Sequence, residues 1–189
     1  MVKTKFRPLT LCLCGLFAAL SAVLSWTSIP IGAVPVTLTH VSVFMAAGLL
    51  GPWYGAASQL AFVLLGAAGA PVFSGFRGGL GHIAGPSGGF ILGYILTALV
   101  TGLVIRRFGF KIWVLALAMT AGWVCTYAAG VPWIAVQTGR GVPESLTAFC
   151  LPFLPGDAAK TALCAVLINR LHPVLQPSSI NPYPPSPRL

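Results

Sequence analysis

Asp157 and Lys160 are the residues of this chain best suited to do chemistry. They stand three apart in the stretch 148–168, which is otherwise apolar or small, and the chain carries only two acidic residues. An ionised group near the centre of a bilayer costs roughly 2.5–3.5 kcal/mol on insertion scales. On a helix the i, i+3 spacing puts both side chains on one face, where each offsets part of the other's cost. A carboxylate only accepts hydrogen bonds and an ammonium only donates them. The pair can therefore meet a polar group that reaches this face of the helix. It would also serve as a structural ion pair between helices, or as a relay in a proton-coupled or channel-like transporter of small solutes.

Composition dictates what surrounds the pair. Hydrophobic residues make up 57% of the 189 positions and charged residues 7%, with a mean hydropathy of +0.90. Soluble domains use about 25% charged residues, so this chain cannot clothe a water-facing surface. An all-α, polytopic membrane protein is expected. Six apolar spans, at about residues 9–26, 34–50, 52–68, 88–105, 112–136 and 156–171, are each near the length needed to cross. The stretch 34–68 is broken only by Gly51–Pro52, which reads as a tight helix–helix turn. The first span is longer than the apolar core of a secretory signal and reads as a retained helix.

The net charge of +9 follows the same topology. Lys3, Lys5 and Arg7 precede the first span, Arg106, Arg107 and Lys111 link the fourth and fifth, and Arg170 and Arg188 follow the last. With six crossings all of them fall on one side, leaving Arg77, Arg140 and Glu144 opposite. That is the positive-inside pattern, and it predicts both termini in the cytoplasm. It leaves no footprint for nucleic acid. Residues 1–172 form one six-helix membrane domain on this reading, and residues 173–189 a Pro-rich, disordered cytoplasmic tail.

No catalytic or metal site is expected. The five cysteines (Cys12, Cys14, Cys125, Cys150, Cys164) are odd in number and lack metal spacing, so they read as small packing residues. There is no H-E-x-x-H motif, and the three histidines are isolated. His40 opens a span without an assigned role, His82 reads as a loop residue near the membrane surface, and Glu144 as a solvated turn residue. No phosphate-binding G-x-x-x-x-G-K-[ST] loop occurs, so any energy from ATP must come from a partner.

Two loops on the outer side are distinctive. Residues 27–37, with two prolines and alternating apolar and small side chains, suggest a semi-rigid flap. Residues 69–85 are dense in glycine, including Gly79, and carry Arg77. Glycine there permits positive φ and close approach of backbone to a ligand. Pro86 would start the fourth helix, placing Ser87 and the amides of Gly88 and Gly89 at its positive end, which favours an anionic or carbonyl group. A tight re-entrant turn is the plainer explanation of the same glycines. In the first span Gly15, Ala18, Ala19 and Ala22 fall at i, i+3, i+4 and i+7 as a smooth stripe, fit for packing within the bundle or against another subunit.

The segments 34–37 (VPVT), 69–73 (GAPVF), 78–90 (GGLGHIAGPSGGF) and 152–160 (PFLPGDAAK) resemble, in order, those of the BioY family. The similarity spans roughly residues 10–170. The chain departs from the family pattern at Thr39, where glutamine is usual, and at Ser87 and Phe90, where threonine and tyrosine are. The resemblance implies the biotin-binding S component of an energy-coupling factor (ECF) vitamin transporter, in a prokaryotic plasma membrane. An S component for another vitamin is the nearest alternative. It also implies a six-helix bundle with an outward pocket, no cofactor, and a transmembrane T component and two ATPase subunits as partners. Docking to the T component would use an Ala-x-x-x-Ala face, here Ala18 and Ala22. Asp157 suits the ureido N–H groups of biotin and Lys160 its carbonyl. Arg77, or else Arg140, suits the tail carboxylate, and Phe73, Phe76, Phe90 and Trp26 are candidates to cover the rings.

Overall fold

Glycine and proline set the boundaries of the helices. The computed structural model describes residues 8–31, 34–150 and 153–175. The first helix, α1, spans Pro8–Trp26 and is followed by an antiparallel hairpin of β1 (Ser28–Ile31) and β2 (Val34–Thr37). Then come α2 (Thr39–Ala67), a short α3 (Leu80–Ile83), α4 (Gly88–Phe108), α5 (Ile112–Thr138), a short α6 (Val142–Phe149) and α7 (Leu154–Leu175). At the ends of α4 and α5, Gly109 (φ 89°) and Gly139 (φ 68°) take positive φ and stop the ladder.

Helix α2 doubles back on itself. Gly51 has φ 82° and ψ 178°, a conformation open to glycine, and Pro52 follows without an N–H to continue the ladder. Along a straight helix Ser42 and Gln59 would be about 25 Å apart. Both instead reach the Ser21 hydroxyl, at 2.9 and 3.2 Å. A Cβ on Gly55 would lie 2.9 Å from Ala47 Cα. The limbs 39–50 and 52–67 therefore run antiparallel, and the Gly51–Pro52 break is a true reversal.

Several expectations change. The chain is mostly but not purely helical, because residues 28–31 and 34–37 pair as strands, with Ser28 opposite Thr37 and Pro30 opposite Pro35. Helical elements number seven among the described residues, not six: α3 and α6 form within the connections that follow α2 and α5, and the spans at 34–50 and 52–68 share one reversing element. Four of the seven, α1, α2, α4 and α5, are long and apolar enough to cross a membrane. Helix α7 runs to Leu175, past the boundary expected at 172. Lys3, Lys5 and Arg7, and the remainder of the tail with Arg188, lie outside the described residues.

The bundle is apolar on its outer face as well as in its core, unlike a water-soluble one. Leu16, Leu64, Leu96, Leu117 and Leu163, from five different helical segments, all face outward. Lipid tails are as apolar as leucine, so helices cohere here through small residues and buried hydrogen bonds. Helix α4 packs on α2 and α5, α1 on α2, and α7 on α2 and α5. Ser42 Oγ donates to Phe17 O at 3.0 Å, and Gln59 Nε2 to Ser58 Oγ at 3.2 Å. With Ser21 these fully buried groups lash α1 to both limbs of α2.

That lashing splits the small-residue stripe of α1. Ala18 and Ala22, at 3% and 7% exposure, share the inner face with Cys14, Ser21 and Ser25 and pack into the core. Their part is internal packing, which corrects the expectation that they face a partner. Gly15 and Ala19 lie on the exposed side beside Leu16, Leu20 and Val23. At one end of the bundle gather Arg106, Arg107, Lys111 and Arg170; there Asn169 Nδ2 donates to Phe110 O at 3.1 Å. Arg77, Arg140 and Glu144 belong to connections at the other.

The glycine contacts generate a test of this packing. A Cβ at Gly102 would lie 2.6 Å from Pro52 Cα, where only backbone could yield. Gly102→Val is expected to cost about 1–3 kcal/mol by overpacking, seen as a melting temperature lower by roughly 3–10 °C in detergent. Gly15→Ala, whose Cβ meets nothing within 4 Å, is expected to leave it level or raise it slightly.

Candidate functional site

The start of α7 carries the site. A helix N-terminus is the positive end of its dipole, and Asp157 lies in the first turn. Pro155 is tolerated there because first-turn amides have no partner within the helix. Phe153, Asp157, Lys160, Cys164 and Ile168 form the inward stripe, while Ala158 and Ala159 face out. The helical period thus turns both charges into the bundle, at 5% and 8% exposure. Lys160 Nζ donates to Asp157 Oδ1 at 3.3 Å, and the Tyr127 hydroxyl donates to Oδ2. The ammonium also stands 5.6 Å from the Trp123 ring centre, a cation–π contact. Trp123 in turn stacks on Tyr127 and lies 3.9 Å, centre to centre, from His40.

A row of three cavities leads outward from this pair. The innermost, about 40 Å³, is lined at its base by Asp157, Lys160, Tyr127, Trp123, His40 and Thr126. Residues 34–37 of β2 cover it, with Phe90 and Phe153 at the sides. Val34 packs with Phe90, Ile134 and Phe153 as a small apolar cap. A middle cavity of about 20 Å³ shares Val34, Pro35, Thr37, Phe90 and Tyr94 with the first. It shares Pro35, Ser74 and Ser87 with an outer cavity of about 420 Å³, where Arg77 and His82 sit. The space is small at the ion pair, narrows further in the middle cavity and reaches ligand size at Arg77.

Local bonds hold the vestibule walls. Trp26 Nε1 donates to Pro71 O at 2.9 Å, and the ring stacks on Phe76. Trp133 Nε1 donates to Gly85 O at 2.9 Å, and Gln137 Nε2 to Ala84 O at 2.7 Å. Between Phe73 and Arg77 the chain makes a tight turn, closed by Phe73 N–H donating to Arg77 O at 2.9 Å, with Gly75 and Phe76 at positive φ. His82 stacks on Phe73 and lies 3.4 Å from Ser87 Oγ. Burial, and after it the Arg77 guanidinium, keep the His82 imidazole below its ordinary value. At neutral pH Arg77 is therefore the cation of this cavity.

The structure gathers Asp157, Lys160 and Phe90 at the inner cavity, Phe73 and Ser87 at the middle one, and Arg77 at the outer one. Trp26 and Phe76 stand apart, because their rings pin the loop 69–79 to the end of α1. Gly79 uses its N–H on Gly66 O at 2.7 Å and its φ of 92° to begin α3, so its part is in the turn. Arg140 is exposed beyond the cavity walls. Gly88 N–H is taken by Gly85 O, and a Cβ at Gly88 or Gly89 would strike Ile83 O or Trp133. These two glycines admit close packing rather than an anion.

Tyr127, Trp123, Thr126 and His40 complete the inner wall and carry little mark in the sequence. Trp123 and Tyr127 are an i, i+4 aromatic pair, and His40 is a polar residue opening an apolar run; those are the signals they offered. His82, read as a surface loop residue, belongs to the vestibule wall. No group of three or more His, Cys, Asp or Glu side chains converges as a metal site among the described residues. A paired carboxylate and ammonium, with a phenol and an imidazole beside them, suit hydrogen-bond recognition of a small polar head in an apolar sleeve.

Known proteins share both the sequence and the architecture. The BioY family model matches residues 2–177. The biotin transporter BioY of Thermotoga maritima is 38% identical over 157 residues, covering 83% of this chain and 92% of its own. That of Rhodobacter capsulatus is 38% identical over 181 residues, covering 89% of this chain and 95% of its own. The crystal structure of the S-component for biotin from an ECF-type ABC transporter matches with a TM-score of 0.82 at 30% identity, covering 92% of this chain and 95% of that one. This chain is a membrane protein of the BioY family.

Proposed function

We propose that this chain is the high-affinity biotin-binding S component of an ECF-type vitamin uptake transporter. The observation that carries the reading is the buried Asp157–Lys160 pair at one end of a row of cavities whose widest member holds Arg77. Biotin is complementary along that row. Its ureido ring has two N–H donors and a strongly accepting carbonyl, its bicycle and valeryl chain are apolar, and its tail is a carboxylate. Asp157 accepts from a ureido N–H, Lys160 donates to the carbonyl, and Phe90 with the β2 residues flanks the rings. Arg77 meets the carboxylate in the vestibule. The inner cavity of about 40 Å³ is smaller than the bicycle, so binding requires the cover of β2 to give way.

The wider arrangement follows from the same reading. Six helical limbs cross a prokaryotic plasma membrane: α1, the two halves of α2, α4, α5 and α7. Both termini are cytoplasmic, at the end of the bundle that holds Arg106, Arg107, Lys111 and Arg170. Residues 1–172 form the binding domain, followed by a short cytoplasmic tail. A T component docks on the outer face of α1 around Gly15 and Ala19, and two ATPases supply the energy; this chain needs no cofactor of its own.

Purified chain is expected to retain labelled biotin one to one, with a nanomolar Kd. Asp157→Asn should weaken binding by roughly 100-fold, since a charged hydrogen-bond acceptor is lost from a buried site. Unchanged retention by that variant would overturn the role given to Asp157. Arg77→Gln should weaken biotin by roughly 10-fold while leaving biotin methyl ester, which lacks the charge, little affected. Gly15→Leu with Ala19→Leu should keep full binding yet abolish uptake in cells that also make the T component and ATPases, as measured by tritiated biotin accumulation.

A further inference from the structure

A chain of hydroxyl groups behind the inner cavity determines which nitrogen of His40 carries its proton. Thr97 Oγ1 donates to Gly122 O at 2.9 Å, which uses the one hydrogen of that hydroxyl, because a carbonyl can only accept. Thr97 and Thr126 oxygens lie 2.6 Å apart, so in this bond Thr126 is the donor. Its hydrogen is now also committed. Thr126 Oγ1 can then only accept from His40 Nε2, at 3.2 Å. The Lys160 ammonium lines the same cavity, and a second cation beside it would be repelled, so the imidazole is neutral. The proton sits on Nε2 and the lone pair on Nδ1.

The ring is also held in place. His40 is 7% exposed, lies 3.9 Å from the Trp123 centroid and meets Tyr94 edge-on at 4.9 Å. It lines the inner cavity together with Asp157 and Lys160. A cyclic urea presents two N–H groups that diverge from its carbonyl, so a single carboxylate cannot receive both. Asp157 is already shared between Tyr127 and Lys160. We infer that His40 is a second ligand-binding residue, whose Nδ1 accepts the ureido N–H that Asp157 does not, with Thr126 and Thr97 as positioning residues for its tautomer. The inference rests on the biotin reading and extends it.

The test compares biotin with its two mono-N-methylated ureido derivatives, by equilibrium binding to the purified chain in detergent. Wild type should bind both derivatives at least 10-fold more weakly than biotin. His40→Phe, which keeps an aromatic ring against Trp123, should lose about 10- to 100-fold for biotin. In that variant one methyl derivative should bind as well as biotin does, while the other keeps its penalty. His40→Asn, whose side-chain oxygen can take the place of Nδ1, should recover part of the affinity. Thr126→Val should weaken biotin several-fold. A His40→Phe chain that melts like wild type and binds biotin equally well, or keeps both methyl penalties, overturns this inference alone. A wild-type chain that retains no biotin overturns the biotin reading and the inference with it.

Discussion

Two opposite charges enclosed in a lipid-facing bundle demand every partner that the surrounding helices can supply. Desolvation costs several kcal/mol per ion, and mutual attraction repays it only with good geometry and further hydrogen bonds. Here α7 contributes both charges and the positive end of its dipole, and α5 contributes the Tyr127 hydroxyl and the Trp123 face. Among the described residues, the ammonium keeps protons and the carboxylate keeps lone pairs that no neighbouring side chain uses up. That residual capacity is what the proposed recognition of a ligand draws on. Helices α5 and α7 must be in register for the carboxylate to meet the phenol and the ammonium to meet the indole.

Register, in turn, is secured by contacts that do not depend on expelling water. Glycines let α4 approach the reversal of α2 and let α5 approach α4, with Gly102 against Pro52 and Gly122 against Thr101 and Thr97. The Thr97 hydroxyl that tops one of these contacts is also the second member of the chain ending at His40. Packing and the proposed recognition of the ligand therefore share atoms. The α1–α2 interface is made in the same way, by Ser21, Ser42 and Gln59, and it adjoins the middle cavity through Ser25 and Phe62.

Rarity made the central pair legible: in a chain with one aspartate, a lysine three residues later has few bland explanations. The reversal at Gly51–Pro52 was legible because glycine and proline leave the backbone no helical continuation. Aromatic residues were harder. In a membrane helix a tryptophan facing a pocket and one facing lipid sit in equally apolar surroundings, so Trp123 and Tyr127 had no polarity contrast to mark them. Trp26 shows the converse error, for its place near the outer loops suggested a ligand-facing ring, whereas a bond to Pro71 O gives it to the loop. The stripe on α1 misled for a geometric reason. Residues at i, i+3, i+4 and i+7 span enough arc to straddle an edge, and the serines beside Ala18 and Ala22 decided which side turned inward. Strand pairing at 28–37 depended on contacts between strands, which residue types alone suggest only as stiffness.

The hairpin over the inner cavity has a proline on each strand, and the two stand opposite one another, Pro30 facing Pro35. Neither has an amide to give, and none is needed, because residues facing each other at this point of an antiparallel ladder leave the bonding to their neighbours. The two fixed φ angles stiffen the cover without removing a rung. Four-residue strands offer few rungs in any case, so the cover can lift as one stiff piece.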